Sequence, residues 1–293
     1  MFKTGENIIK INKKAMVEVK RERKVMSQHK SLQLESIMLF FIAIFIVIYV
    51  AITVLPILSI IRVADFKDFG KTITNRQNID VILLSLSTGI LSSIFIFLLA
   101  TPVVYYLTFK KSFLSKILDV FVSIPTVLPP AVAGIGLLLA FGRQGILGGV
   151  LSRFGIVISF TPLAVIIAQF FVASAFYIKI FKAGVESIAP EVLEASYVFG
   201  AGKIETFIKM VVPMLKKNIA SGLLVSWARA MGEFGATITF AGNVMGRTRT
   251  IPLQIYTYMQ TDIKSAALLS VVMFIISFVV LYFTKVCLKT EEI

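Results

Sequence analysis

An arginine and a glutamate lie four residues apart in an otherwise apolar stretch, W-A-R-A-M-G-E-F-G-A-T-I-T-F-A-G-N at 227–243. On a helix this spacing puts Arg229 and Glu233 on one face. If the stretch lies in a membrane, an unpaired charge there costs at least about 2.5 kcal/mol, so the two side chains are expected to pair with each other or with neighbours. Two interpretations stay open, a structural ion pair and part of a gate, since intramembrane charges tend to be functional.

Neutral hydrogen-bonding side chains follow the charged pair along the same stretch. Thr237, Thr239 and Asn243 supply hydroxyl and amide donors. Such donors suit an anion that must be held loosely enough to leave. Together with Arg229 and Glu233, they are the candidates for a polar path or gate, although a helix rotated by one position would change the set.

A second break in apolar sequence comes earlier, in I-P-T-V-L-P-P-A-V-A-G-I-G at 124–136. Pro125, Pro129 and Pro130 forbid a regular helix there and free backbone carbonyls. Transporters use broken segments of this kind on their substrate paths, whereas a single proline kink is common in any helix bundle. Pro129 and Pro130 therefore join the candidate path, with the kink left open as the alternative.

Covalent catalysis and metal chemistry find little support in the residue types. The chain has one histidine, His29, and one cysteine, Cys287, which exclude a multi-histidine metal site and an intramolecular disulfide. No set of Ser, His and Asp can be assembled. F-G-K-T at 69–72 resembles the end of a phosphate-binding loop, but Asp65 stands where that loop needs glycine. We expect a chain that is not an enzyme and holds no cofactor.

A polar interruption at 186–213 separates two strongly apolar segments. Its apolar residues recur at helical spacing, and Glu191 and Glu194 share another face, so a short amphipathic helix is predicted. Pro190 suits the first turn of that helix, and Gly200 is placed to end it. Pro213 is predicted to stop a second short helix. The segment is typical of a docking element and not of a membrane span.

Composition identifies the class of protein that carries these residues. Of 293 residues, 57% are apolar, and the mean hydropathy is +0.88. Both values exceed what a soluble domain needs for its core, so an all-α integral membrane protein is predicted. Lys and Arg number 30 against 16 acidic residues. In a membrane protein this excess sets topology, so nucleic acid is not an expected partner.

Six membrane-spanning helices are predicted from the apolar windows, at 37–61, 81–109, 120–142, 154–178, 215–240 and 265–284. They form one domain, 37–293, and 1–36 is a basic cytoplasmic extension that can touch anionic lipid. With both termini in the cytoplasm, cytoplasmic segments hold about 20 Lys or Arg and external ones about 9, the expected bias. This orientation puts 186–213 in the cytoplasm. It puts Arg143 and Arg153 outside, where they either attract anions or anchor the interface.

The polar segment carries a recognisable pattern. Glu194-Ala195-Ser196, Gly200 four residues later, and Met210, Val212 and Pro213 resemble the E-A-A, G, I-x-L-P pattern of membrane subunits of ATP-binding-cassette importers. Ser196, Met210 and Val212 depart from it conservatively. The resemblance implies a type I importer fold in which 186–213 is a coupling helix seated in a groove of the ATPase. The implied contact residues are Glu191, Glu194, Ala195, Ser196, Gly200 and Pro213.

The stretch at 227–243, the downstream T-I-P-L-Q-I-Y and the earlier P-T-V-L-P-P-A-V-A-G resemble molybdate permeases, with tungstate permeases close and sulfate permeases related. The likeness covers about residues 78–285. It implies a homodimer in the cell membrane that forms the translocation path. Two cytoplasmic ATPase subunits would use ATP and Mg²⁺, and an external binding protein would deliver the oxyanion. Sulfate or phosphate import is the alternative within this class. A channel is the alternative outside it.

Overall fold

A computed structural model describes residues 38–110 and 112–289. The predicted extension 1–36 lies outside these residues. The chain separates into two compact units, 1–59 and 60–293. The described residues of the first unit belong to one apolar helix, α1 (Met38–Val63), whose last four residues are assigned to the second unit.

The second unit is helical throughout, and the residues described contain no strand. Its first half holds α2 (Phe69–Thr74), α3 (Arg76–Phe109), α4 (Phe113–Ser123), α5 (Pro130–Phe141), α6 (Gly148–Arg153) and α7 (Pro162–Glu186). Its second half holds α8 (Pro190–Val198), α9 (Lys203–Thr206), a π turn (Phe207–Val211), α10 (Val212–Met214), α11 (Lys216–Met231), α12 (Gly235–Phe240), α13 (Ile251–Met259) and α14 (Ile263–Lys289). The prediction of an all-α fold is confirmed.

Helix α7 is the centre of the packing. Half of its apolar window is buried, more than in any other spanning helix described. One side contributes Tyr177 and Phe181 to a core shared with α3 and α11, and another side packs Val165 and Val172 against α5 and α12. The Tyr177 hydroxyl also bonds Thr101 Oγ1 on α3 at 2.7 Å. Helix α7 therefore positions both stretches that hold the candidate path residues, the prolines before α5 and the residues at 227–243.

Four continuous helices are long and apolar enough to cross a membrane: α1, α3, α7 and the described part of α14 to Phe283. The span predicted at 154–178 begins later than expected, because Pro162 opens α7 after an extended loop, and the helix continues to Glu186. The apolar window at 154–178 therefore predicted helix α7 correctly, but both of its predicted ends were wrong. Lys182 inside α7 is tolerated because it pairs with Asp119 of α4 at 2.6 Å.

Two of the predicted spans are broken. The α4–α5 pair bends by 115° at residues 127–129, as the prolines predicted. The stretch predicted as a span at 215–240 is not one continuous helix, since α11 ends at Met231 and α12 starts at Gly235. Sixteen residues of α11 extend only about 24 Å, less than the hydrocarbon core of about 30 Å. The break falls beside the buried Glu233.

Candidate functional site

Helix α8 begins and ends where the sequence predicted. Pro190 occupies its first turn, where no backbone N–H is needed. Gly200 follows its end with a φ of 85°. The Gly200 N–H donates to the Tyr197 carbonyl at 2.9 Å, and the Ala201 N–H donates to the Ser196 carbonyl at 3.1 Å. These two bonds form a Schellman cap, which fixes the turn after α8 with the chain's own backbone.

The end of α8 presents apolar side chains to its surroundings. Val198 is 85% exposed and Phe199 is 90% exposed. Glu191, Glu194 and Ala195 are exposed as well. A large aromatic residue left outside the core, on a helix with a fixed end, is typical of a surface that a partner covers.

Ser196 has a different environment from the other predicted contact residues. Its hydroxyl lies 2.9 Å from the hydroxyl of the buried Thr206 and donates to the Leu193 carbonyl at 2.7 Å. Leu193 in turn packs against the core around α7. Ser196 therefore joins α8 to α9 within the chain. The sequence pattern had grouped it with residues that the structure leaves exposed.

Pro213 was predicted to stop a second short helix, and α10 ends one residue later, at Met214, with Leu215 outside helical geometry at φ −100° and ψ 20°. A π turn precedes the proline, and the Val212 N–H donates to the Phe207 carbonyl five residues back. The extra residue of a π turn gives the proline ring room that a regular helix would not. The Leu215 N–H still reaches the Val211 carbonyl at 3.0 Å. A nearly continuous helical path of roughly 43 Å thus runs from α9 to the end of α11.

Arg229 and Glu233 form the ion pair that their spacing predicted, with Arg229 Nη1 2.9 Å from Glu233 Oε2. Glu233 lies beyond the end of α11, so the pair bridges the helix break. Glu233 is 2% exposed, whereas the Arg229 side chain remains 31% exposed. Glu233 Oε1 also accepts the Ala236 N–H at 2.8 Å, in the first turn of α12. One carboxylate therefore joins the end of α11 to the start of α12.

Helices α5 and α12 approach each other closely, which brings the two broken stretches together. A Cβ on Gly134 would lie 2.6 Å from Thr239 Cβ and 3.0 Å from the Ala236 Cα. A Cβ on Gly235 would lie 2.8 Å from Pro130 Cβ. Only glycine permits this spacing. The prolines and the T-I-T segment, far apart in sequence, are thus neighbours, with Pro129 immediately before α5.

The three neutral candidates have different partners. Thr239 Oγ1 donates to the Gly235 carbonyl within its own helix at 2.9 Å. Thr237 Oγ1 is buried and has no hydrogen-bond partner among the described residues. Asn243 Nδ2 donates to Thr257 Oγ1 at 3.1 Å, and its Oδ1 accepts from Arg249 Nε at 2.7 Å. Asn243 thus holds a loop in place. Contact between these residues and a solute stays a prediction.

A polar network around Arg249 was missed. Arg249 Nη1 donates to Gln254 Oε1 at 3.3 Å, and Gln254 reaches Asn78 of α3 at 3.4 Å. The Tyr258 hydroxyl donates to the same Asn78 oxygen at 3.0 Å. These bonds tie the loop before α13 to α3. The available signal was Asn78, a polar side chain just before the apolar window at 81–109, because a polar group needs a hydrogen-bond partner when it is buried.

The comparisons with known proteins agree with this architecture. Residues 105–287 match the family described as binding-protein-dependent transport system inner membrane component. A probable transport system permease protein, NifC of Clostridium pasteurianum, is 50% identical over 84% of this chain and 86% of its own length. A molybdenum transport system permease protein, ModB of Mycobacterium tuberculosis, is 34% identical over 76% and 84%. A sulfate transport system permease protein, CysT of Escherichia coli, is 29% identical over 74% and 79%.

Two solved structures share the fold. A membrane chain of a bacterial transporter that imports the acidic polysaccharide alginate superposes with a TM-score of 0.71, at 16% identity, over 87% of this chain and 96% of that one. A chain of the inward-facing MetNI methionine transporter gives a TM-score of 0.59, at 15% identity, over 72% and 94%. By its sequence match, this chain belongs to the family of inner membrane components of binding-protein-dependent transport systems.

Proposed function

We propose that this chain is the permease subunit of an ATP-driven importer for molybdate or tungstate. Relatives named as molybdenum permeases and the residues at 227–243 support this substrate class. The chain would work as a homodimer in the cell membrane, with both termini in the cytoplasm. Two ATPase subunits would hydrolyse Mg-ATP, and an external binding protein would deliver the oxyanion. The chain itself would hold no cofactor.

One observation carries the mechanism: the helical path from α9 to α11 joins the exposed end of α8 to the Arg229–Glu233 pair. Partner ATPases that close on ATP would draw the two α8 helices of a dimer together. A stiff helix transmits such a movement, and the break after Met231 is the place where α12 can tilt relative to α11. The pathway beside α5 and α12 would then alternate between the two sides of the membrane.

The charge at this break suits an anion. Arg229 remains partly exposed while Glu233 is buried, so the positive end of the pair faces more open space than the negative end. A sulfate importer is the second candidate, supported by the CysT relative. A channel is not favoured, because a channel has no use for Phe199 exposed at the tip of a capped helix.

Replacing Phe199 tests the coupling. In a complex reconstituted with its ATPase and binding protein, Phe199→Ser should reduce uptake at least about tenfold, the effect typical of an interface anchor. The thermal midpoint of the permease should not change, since Phe199 lies outside the core. Phe154→Ser is the matched control, because Phe154 is 77% exposed at the opposite end of α7. Normal uptake by the Phe199 variant would contradict the docking role.

Competition for uptake tests the substrate. Labelled molybdate should enter proteoliposomes only with ATP and the binding protein, tungstate should compete at similar concentrations, and sulfate should compete poorly. Efficient competition by sulfate would favour the second candidate. Uptake that needs no ATP would favour a channel.

A further inference from the structure

A cavity of about 770 Å³ opens at the end of the molecule where α7 begins. It is lined by the loop after α5, by residues 155–161 before α7, and by Arg247 from the loop before α13. Helix α7 is about 37 Å long, and α8 follows its other end. The cavity and the α8 surface therefore lie at opposite ends of the second unit, and nothing in the proposed coupling uses the cavity.

The lining is positively charged and contains no carboxylate among the residues described. Arg143 and Arg247 come from loops far apart in sequence, and neither forms an ion pair within the described part of the chain. Arginine presents a planar fork of donors that matches the oxygens of an oxyanion. Both arginines are exposed to solvent, and an anion held between or near them would be attracted by both charges.

Uncharged donors complete the lining. Ser159 is buried at the cavity wall, and its hydroxyl makes no hydrogen bond to another described residue. Gln144 lines the same space, and so does Thr161, whose hydroxyl already donates to the Ile158 carbonyl at 2.5 Å. Thr161 precedes the first turn of α7, so the positive end of a 25-residue helix dipole also faces this region. Because the Ser159 hydroxyl is open to the cavity, it is free to donate to a solute there.

The loops that carry the arginines are held in place. In the loop after α5, the Leu147 N–H donates to the Ala140 carbonyl at 2.8 Å. In the loop before α13, the buried Thr248 Oγ1 accepts the Val244 N–H at 3.0 Å and donates to the Gly242 carbonyl at 3.3 Å. These bonds limit the freedom that each loop would lose on binding a ligand.

Phe160 lines the cavity from the segment before α7 and lies against the loop that contains Gly242. Its φ of 61° is left-handed, a conformation that costs a non-glycine residue about 1 to 2 kcal/mol. Close contact with the loop between α12 and α13 maintains this conformation, since a Cβ on Gly242 would lie 2.8 Å from Phe160 Cδ1. Strained residues held by their surroundings cluster at ligand sites.

We propose that this cavity is a binding site for a tetrahedral oxyanion, with Arg143 and Arg247 as the charged ligands and Ser159 as a neutral donor. It would retain the anion at the outer end of the path. The identity of molybdate as its natural ligand rests on the proposed function, but binding of an oxyanion does not depend on transport. The sequence grouped Arg143 with Arg153; the structure separates them, because Arg153 on α6 does not line the cavity.

Equilibrium dialysis of molybdate against the permease–ATPase complex in nanodiscs, without binding protein, tests the site. Each of Arg143→Gln and Arg247→Gln should weaken binding roughly threefold to tenfold, and the double variant should weaken it more, as loss of charge-assisted bonds predicts. Rising chloride should weaken wild-type binding. The matched control Arg153→Gln removes a neighbouring exposed charge and should change affinity by less than about twofold, the scale of a surface charge effect.

Several outcomes would overturn the site: no molybdate binding by the wild type, equal affinity in the double variant, or equal loss in the Arg153 control. Loss of binding-protein docking with unchanged molybdate affinity would assign the arginines to a protein contact and also overturn it. Arginine-dependent binding without ATP-driven uptake by the wild type would leave the site standing and sink the proposed function. Normal ATP-driven uptake, combined with molybdate binding that does not depend on the arginines, would overturn the site and leave the proposed function standing.

Discussion

The two ends of the α9–α11 helical path are built in opposite ways. At the α8 end, Phe199 is 90% exposed and the turn is fixed by backbone bonds to Gly200 and Ala201. At the far end, Glu233 is 2% exposed and is fixed by an ion pair and a backbone N–H. One end leaves its apolar side chains uncovered, and the other pairs its charged groups internally.

On the proposed function, the difference follows from the surroundings of each end. A surface that a protein partner covers gains most from an exposed apolar anchor that is already rigid. Within a membrane, a broken backbone must be satisfied by protein, and close packing with paired charge does this. Substitutions at the buried end should therefore reduce stability and transport together, whereas those at the exposed end should reduce coupling while stability is largely kept.

The largest effect is expected from Glu233→Gln, which keeps an acceptor for the Ala236 N–H but removes the charge. Arg229 is then left without its partner, and because its side chain is 31% exposed and can reach solvent, loss of this charge-assisted bond should cost about 1.5 to 3 kcal/mol. We expect a clearly lower thermal midpoint in detergent and loss of uptake. Adding Arg229→Met should restore much of the midpoint but not the uptake. An unchanged midpoint in the single variant would show that the pair does not support the break.

A smaller effect is expected where α5 meets α12. Gly134→Ala puts a Cβ 2.6 Å from Thr239 Cβ and 3.0 Å from backbone, which should cost about 1 to 3 kcal/mol through overpacking. Gly136→Ala is the matched control, because a Cβ there meets nothing within 4 Å, so it should be neutral or slightly stabilising. Equal midpoints for the two variants would mean that the helices separate at little cost.

The sequence predicted elements whose cause is local. Pro190 and Gly200 bound α8 because their backbone preferences act within one turn, and the four-residue spacing of Arg229 and Glu233 was enough to predict their pair. The proline-rich break before α5 was predicted for the same reason.

The features that the sequence did not predict depend mainly on contacts between residues far apart in the chain. The approach of Gly134 to Thr239 and the network between Arg249 and Asn78 join segments that no local pattern relates. The charges of Arg229 and Glu233 marked an interruption of the 215–240 window, but the sequence did not predict that the helix itself ends at Met231. Nothing in the sequence indicated the π turn that precedes Pro213 and accommodates its ring.

At the exposed end, Gly200→Ala should have a modest effect. An alanine in the left-handed conformation of the cap costs about 1 kcal/mol or slightly more, and this cost falls on the turn after α8. Affinity for the partner ATPase should drop severalfold while the thermal midpoint moves little. Gly202→Ala is the control, since its φ of −72° suits any residue and a Cβ there meets nothing within 4 Å. If both variants bind the ATPase equally, the cap does not set the shape of the surface.

The smallest effect concerns the ion pair of Glu205 and Lys209, with Nζ 2.7 Å from Oε1, beside the same surface. The hydrogen bond to Lys209 lowers the pKa of Glu205 from its usual 4.5, and the hydrogen bond to Glu205 raises the pKa of Lys209 from its usual 10.5. The contribution of Glu205 is therefore complete above pH 4.5 and is lost as pH falls through its lowered pKa. That of Lys209 is complete below pH 10.5 and is lost as pH rises through its raised pKa. Because both groups stay ionised between these limits, ATPase affinity should be flat from about pH 6 to 8, in the wild type and in Lys209→Gln alike. A pH slope in the wild type that disappears in Lys209→Gln would show that one member of the pair titrates in this range, against the stated pKa directions.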